Sequence, residues 1–336
     1  MIEISKVQIK TWSLLGQRGT AFGIAMNEIA EADADVKLLT ADLALLSGMK
    51  GYVQKHPEQF LNVGIAEQNM IGIAAGLALE GKCVFATTYA SFIAVRSLEF
   101  VRHNVAYLNT NVKIIGGTAG VAAAKSGISH WATEDLAFMR TMPNMIVFSP
   151  CDALEAYKVM KYAASIKAPV YIRLSGGPNC PAVYKENYDF VPGKIIKLRD
   201  SSAGNDNAKK LCIIATGLMV QESLVAADIL FSKGLDVAVY NMHTIKPLDK
   251  EILDSIFAEY DFVFTVEEHN VLGGMGSAVA EYKASLSPEG VKARQFFIGM
   301  NDTFDVAYGA QQFVWEQLGI TAEKIAERII FEVERK

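Results

Sequence analysis

The chain has 336 residues, 51% hydrophobic and 21% charged, with a formal net charge of −5. That length supplies two hydrophobic cores, and the acidic balance offers no electrostatic footprint for nucleic acid. No apolar run reaches the ~18–20 residues of a membrane span, and the N-terminus carries no sustained apolar signal segment.

Taken in chain order, short β-branched runs alternate with helical patterns. Strands are predicted at 36–40, 83–88, 112–117, 145–150 and 169–174, with helices near 20–31, 66–80, 91–107, 132–141 and 152–166. Continuous apolar strands separated by helices predict βαβ units and a parallel sheet covered on both faces. Residues 185–209 end in a polar Ser/Gly/Asn/Asp stretch that reads as a linker. A second set follows, with strands at 211–217, 236–242, 262–268 and 294–300 and helices at 219–233, 249–258, 274–286 and 321–334. The expectation is an α/β chain of two domains, each a mostly parallel sheet flanked by helices. Its parts are an N-terminal arm (1–19), a first domain (20–184), the linker (185–209) and a second domain (210–336). Ligands of such sheets sit beyond the carboxyl ends of the strands. There the first domain carries Asp42, Thr87, Thr88, Gly116, Gly117, Pro150, Ser175 and Gly176.

Cys83, Cys151, Cys180 and Cys212 lie far apart with no CxxC pair, which argues against zinc or a disulfide framework and for a reducing, cytoplasmic compartment. His130 and Glu134 are four apart, a metal-compatible spacing, but no third ligand accompanies them, so no metal site is expected in this chain. "NVLGGMGSAVAEY" (270–282) lacks phosphate-loop spacing and reads as a tight strand-to-helix turn. In "VEEHN" (266–270), Glu267 and Glu268 are neighbours on a strand and point to opposite faces, so a structural or interface role is expected. No G-x-S-x-G elbow is present.

"NVGIAEQNMIGIAAGLALEG" (62–81) places Glu67 before an apolar run. A carboxylate there either favours the positive end of a helix or acts on a ligand, and the residues alone allow both. Together with "TTYASFIAVRSLEFVRHNVAY", "SGISHWATEDLAFMRTMPNMIVFSPCDALEA", "PVYIRLS", "ATGLMVQESLVAADIL", "VYNMHTIKPLD" and "VEEHNVLGGMGSAVAE", the stretch resembles the transketolase family in that family's order. The resemblance implies a pyrimidine-binding domain followed by a transketolase C-terminal domain. It implies thiamine diphosphate as cofactor, with Glu67 on the aminopyrimidine favouring the tautomer that accepts the thiazolium proton. Tyr89 and Phe92 match the stacking positions, Asp42 matches an aspartate near the cofactor, and His130 matches the histidine that contacts the donor's oxygens. Arg18 matches a phosphate-binding arginine.

No GDG occurs, and 336 residues leave no room for the family's diphosphate domain. The resemblance therefore implies the C-terminal subunit of a split transketolase. A partner chain would hold the diphosphate and Mg2+ in a cytoplasmic α2β2 heterotetramer that passes a two-carbon ketol unit from a ketose to an aldose. Departures concern the substrate. Lys125 and Ser126 stand where relatives carry acidic residues, and the family's histidine and arginine near Thr118 and Gly176 are absent. Arg18 and Lys125 are thus expected to meet the anionic tail, and the donor to be sulfonated or otherwise modified. The alternatives are the beta subunit of a 2-oxo acid dehydrogenase decarboxylase and a non-catalytic regulatory subunit.

Overall fold

The computed structural model describes residues 4–201, 209–304 and 307–335. Its strands are β1 (Val36–Thr40), β2 (Phe60–Asn62), β3 (Cys83–Tyr89), β4 (Val112–Gly117), β5 (Ile146–Phe148), β6 (Val170–Leu174), β7 (Ile196–Arg199), β8 (Leu211–Ala215), β9 (Val237–Asn241), β10 (Thr244–Lys246), β11 (Phe262–Asn270) and β12 (Arg294–Met300). They form a seven-stranded sheet, β10-β5-β6-β4-β3-β1-β2, and a five-stranded sheet, β12-β11-β8-β9-β7. All pairings are parallel except those of β10 with β5 and of β7 with β9. The expected α/β architecture of two mostly parallel sheets is thus what the chain adopts.

Burial explains the sequence signal. β4 and β6 are buried at every position, and β3 at all but its last, Tyr89. Such strands show no alternation because helices cover both faces. The helix Glu67–Leu79 buries Met70, Ile71, Ala74 and Ala75 and packs against β3. Its other face is open: a Cβ added at Gly72 or Gly76 would meet nothing within 4 Å.

Three segments differ from expectation. The stretch read as an N-terminal arm is helical over Lys6–Thr20 and starts with a Ser5/Gln8 capping box. It buries Ile9 and Trp12, and the Trp12 ring lies 4.5 Å from Tyr157 on the helix Ala153–Ser165. The stretch read as a linker contains β7, an edge strand of the second sheet, while residues 202–208 lie outside those described. Finally, β10 belongs by sequence to the second unit but pairs with β5 of the first sheet, Thr244 opposite Phe148.

Candidate functional site

The expected site residues converge from four elements. Tyr89 ends β3, and Phe92 and Arg96 sit on the wide π-helical turn Phe92–Arg96 that follows it. That turn closes through the Ser97 N–H on the Phe92 carbonyl, and its extra residue swings the Arg96 guanidinium to 4.5 Å above the Phe92 ring. His130 arrives on the short turn Ile128–His130, edge-on to both rings at 5.7 Å from Tyr89 and 5.3 Å from Phe92. Tyr89 and Phe92 are 5.6 Å apart and tilted, so three half-buried rings form one cluster.

Glu67 joins this cluster through Arg96. It is 3% exposed on the first turn of its helix, whose N-cap Ala66 offers no side-chain cap. Arg96 Nη1 donates to Glu67 Oε1 at 2.8 Å, and Gln68 Nε2 donates to the Arg96 carbonyl at 3.1 Å. Among the described residues Glu67 Oε2 has no hydrogen-bond partner, which leaves it able to accept from a ligand. Arg96, half exposed in its side chain, carried no sequence signal beyond its spacing from Phe92.

Arg18 is built in from the N-terminal helix. Gly16 breaks that helix at φ 74°, and a Cβ there would lie 1.9 Å from the Gly177 carbonyl oxygen, so only glycine fits. Gln17 then pins the kink to two strand ends: its Nε2 donates to the Pro150 carbonyl and its Oε1 accepts from the Gly176 N–H, both at 2.7 Å. Arg18 Nη1 donates to Thr118 Oγ1 at 2.6 Å. Thr118 is β-branched yet has φ 55°, a strained conformation of the kind that gathers at ligand sites. Burial pulls the Arg18 pKa down from its ordinary value, and the nearby Tyr89 phenol opposes the shift. The guanidinium stays a cation, since an arginine does not deprotonate in a protein.

The other expected residues sit elsewhere. Asp42 is exposed in the left-handed region, φ 59°, and its Oδ1 accepts from Asn62 Nδ2 at 3.1 Å. Lys125 and Ser126 are exposed on the turn Ala124–Ser126. No group of three or more metal-ligating side chains occurs among those residues. A cleft of about 350 Å³ between the two units is walled by Trp131, Phe138, Leu272, Met300 and Phe304, and by none of Glu67, Tyr89, Phe92 or His130.

The Gly-rich turn holds no open anion site. Glu267 accepts from the N–H groups of Met275 and Gly276 at 2.7 and 2.8 Å and so occupies the start of the helix Met275–Ala284. Glu268 leaves the strand on the opposite side, as alternation requires, and reaches the first unit at Val121.

Residues 17–177 match the family model described as transketolase, pyrimidine binding domain, and residues 205–325 match transketolase, C-terminal domain. The chain belongs to the transketolase family. It is 38% identical to a putative transketolase C-terminal section of Methanocaldococcus jannaschii, over 94% of this chain and 96% of that one. It is 36% identical to a 6-deoxy-6-sulfo-D-fructose transketolase subunit of Clostridium sp., over 92% of each. A solved structure of a split gene transketolase, described as an inactive beta4 tetramer, matches with a TM-score of 0.80 at 38% identity, over 93% of this chain and 96% of that one. This transketolase chain is thus an enzyme subunit of the split type, comprising the pyrimidine-binding and C-terminal domains. None of its described helices is long and apolar enough to cross a membrane.

Proposed function

We propose that this chain forms the pyrimidine half of a thiamine diphosphate site and, with an N-terminal subunit holding the diphosphate and Mg2+, transfers a two-carbon ketol unit from an anionic ketose to an aldose. The observation that carries this is the cluster of Glu67 with Tyr89, Phe92 and His130 at the carboxyl ends of the strands. A planar, polar heterocycle fits it: two ring faces, one carboxylate oxygen without a partner, and an imidazole beyond them.

Bound there, thiamine diphosphate supplies the electron sink that lets the ketose carbon–carbon bond break. Glu67 Oε2 would hold the pyrimidine ring by accepting a hydrogen bond from it and would keep the proton there. The Tyr89 and Phe92 rings would orient that ring and keep water from it. Ser129 Oγ lies 2.9 Å from His130 Nδ1 and fixes the imidazole, leaving Nε2 to meet the donor's hydroxyl or carbonyl oxygen. Arg18, desolvated beside Thr118 and Gly177, receives the anionic tail, with Lys125 and Ser126 at the rim and Asp42 near the cofactor's edge.

The site lies on an open face, as half of a shared site must. Exposed apolar side chains next to it, Ile65 and Val95, together with Leu45 and Leu46 past β1, suit burial under a second chain. We propose an α2β2 assembly acting in the cytoplasm, and an inactive homo-oligomer for this chain alone, in line with the inactive tetramer of the solved relative. The sulfofructose enzyme among its relatives, with the replacements at Lys125 and Ser126, supports a sulfonated or otherwise modified ketose donor.

The test is reconstitution with a chain carrying a GDG…N motif. Ketol transfer and bound thiamine diphosphate should appear only for the complex, and its mass should be that of two copies of each chain. Comparing xylulose 5-phosphate with sulfonated ketoses reads the donor: equal or better turnover of xylulose 5-phosphate removes the modified-donor reading and leaves the transketolase reading in place.

A further inference from the structure

The second unit reaches the first through, among other groups, a carboxylate that the chemistry above does not use. Gly120 and Ala132 form an isolated antiparallel bridge, with N–H···O bonds of 3.1 and 2.9 Å in the two directions. The bridge closes residues 121–131 into one loop, and that loop carries Lys125, Ser126 and His130. Loops closed in this way hold their shape through the contacts at their base.

Both sides of the base are gripped from β11 and β6. Glu268 Oε1 accepts from the Val121 N–H at 3.1 Å, and also from Trp315 Nε1 at 2.7 Å and Gln311 Nε2 at 3.0 Å on the helix Gln311–Leu318. On the other side Arg173 Nη2 donates to the Ala132 carbonyl at 3.1 Å and to the Glu268 carbonyl at 2.8 Å. The Asn270 N–H adds a bond to the Thr133 carbonyl at 2.8 Å. The fit around Glu268 is close: Gly120 has φ 63°, and a Cβ there would stand 2.3 Å from the Glu268 carboxyl carbon.

We infer that Glu268, from the C-terminal domain, is a positioning residue for the substrate loop, fixing through the Val121 N–H the base from which His130 and Ser126 face the donor. The inference rests on His130 as the donor contact. It gives the C-terminal domain a part in substrate recognition although none of its described side chains belongs to the ring cluster.

Burial pushes the Glu268 pKa up, while the Arg173 charge and the three donors oppose the rise. Among the described residues Oε2 is buried with no partner. All three donors meet Oε1, a role that a single side-chain carbonyl oxygen can fill. Glutamine reproduces that carbonyl in nearly the same volume, and alanine removes it.

Hydrogen–deuterium exchange on the full chain alone tests the positioning without activity. In Glu268→Ala, amides of residues 118–132 should exchange roughly ten- to a hundredfold faster, since the Val121 N–H is left without its acceptor. In Glu268→Gln they should stay within about twofold of the parent. The helix Glu67–Leu79 should be unchanged in both. Unaltered exchange at 118–132 in the alanine variant, the same rise in the glutamine variant, or one uniform rise along the chain would each overturn the inference. In the reconstituted enzyme the alanine variant should raise the donor KM about tenfold with thiamine diphosphate affinity unchanged, and glutamine should restore it. A parent complex without ketol transfer would fail the functional reading and leave the exchange result standing.

Discussion

The ring cluster around Glu67 and the seam around Arg173 both bury a carboxylate beside an arginine, and they treat it in opposite ways. At the seam, Asp135 accepts from Arg173 Nε at 2.9 and 3.1 Å and from the Tyr171 hydroxyl at 2.6 Å, and both charged groups are sealed from solvent. At the ring cluster, Glu67 has one oxygen paired, the other free, and a partner arginine that is half in solvent. A fully enclosed pair is spent on holding elements together. A half-answered carboxylate on an open face is available for chemistry.

The largest expected effect is on activity. Glu67→Ala should cost the reconstituted enzyme at least about 100-fold in turnover while the free chain unfolds at the parent's denaturant midpoint. Retained turnover would erase the contrast. Next is Arg173→Leu, which strands Asp135 inside the protein and should cost about 3–5 kcal/mol in chemical denaturation. The double variant with Asp135→Leu should recover much of that, because the uncompensated charge is gone.

A third test concerns pH. Glu155 sits at another point of contact between the units, bonded to the Cys151 N–H, the Tyr188 hydroxyl and Asn241 Nδ2 at 2.7–2.8 Å. Burial, and then the Asp152 charge, raise its pKa to about 7, against the bonds from Cys151 and Tyr188. A carboxyl whose folded pKa is raised binds its proton more tightly when folded. Its stabilising contribution is therefore full below the ordinary carboxylate pKa and is lost as pH rises through 7. The parent should lose stability on the order of 3 kcal/mol over that window relative to Glu155→Gln, read as the difference between their denaturation free energies at each pH. Parallel profiles would refute it. The smallest effect belongs to Arg96→Met, which should change the free chain's stability by less than about 1 kcal/mol. A loss matching that of Arg173→Leu would make Glu67 a structural ion pair and end the distinction.

The strands whose burial is continuous were legible in the sequence, and each forms within two residues of its expected bounds. β2 and β10 were not, because three residues leave no period to read, and their pairing partners lie 20 or more positions away. The helix Lys6–Thr20 was hidden by Gly16, whose break looks like an end and is a kink. Within the site, Glu67, Tyr89, Phe92 and His130 could be named from motifs, and the structure brings them to one cluster. Asp42 accepts a hydrogen bond from Asn62, and Lys125 is exposed on its own turn. Arg96 was missed because its reach depends on one extra residue in a helical turn. Alternation separated Glu267 from Glu268 but could not say that one closes a helix and the other crosses to a neighbouring loop.

The strand β10 has a consequence for how the chain is made. During synthesis β5 emerges nearly a hundred residues before its neighbour Thr244–Lys246, so the first sheet must wait with one margin bare. A protein cut after residue 185 would keep that margin permanently and should self-associate through it, however complete its interior. The two units are separable by sequence, yet neither is finished without the other.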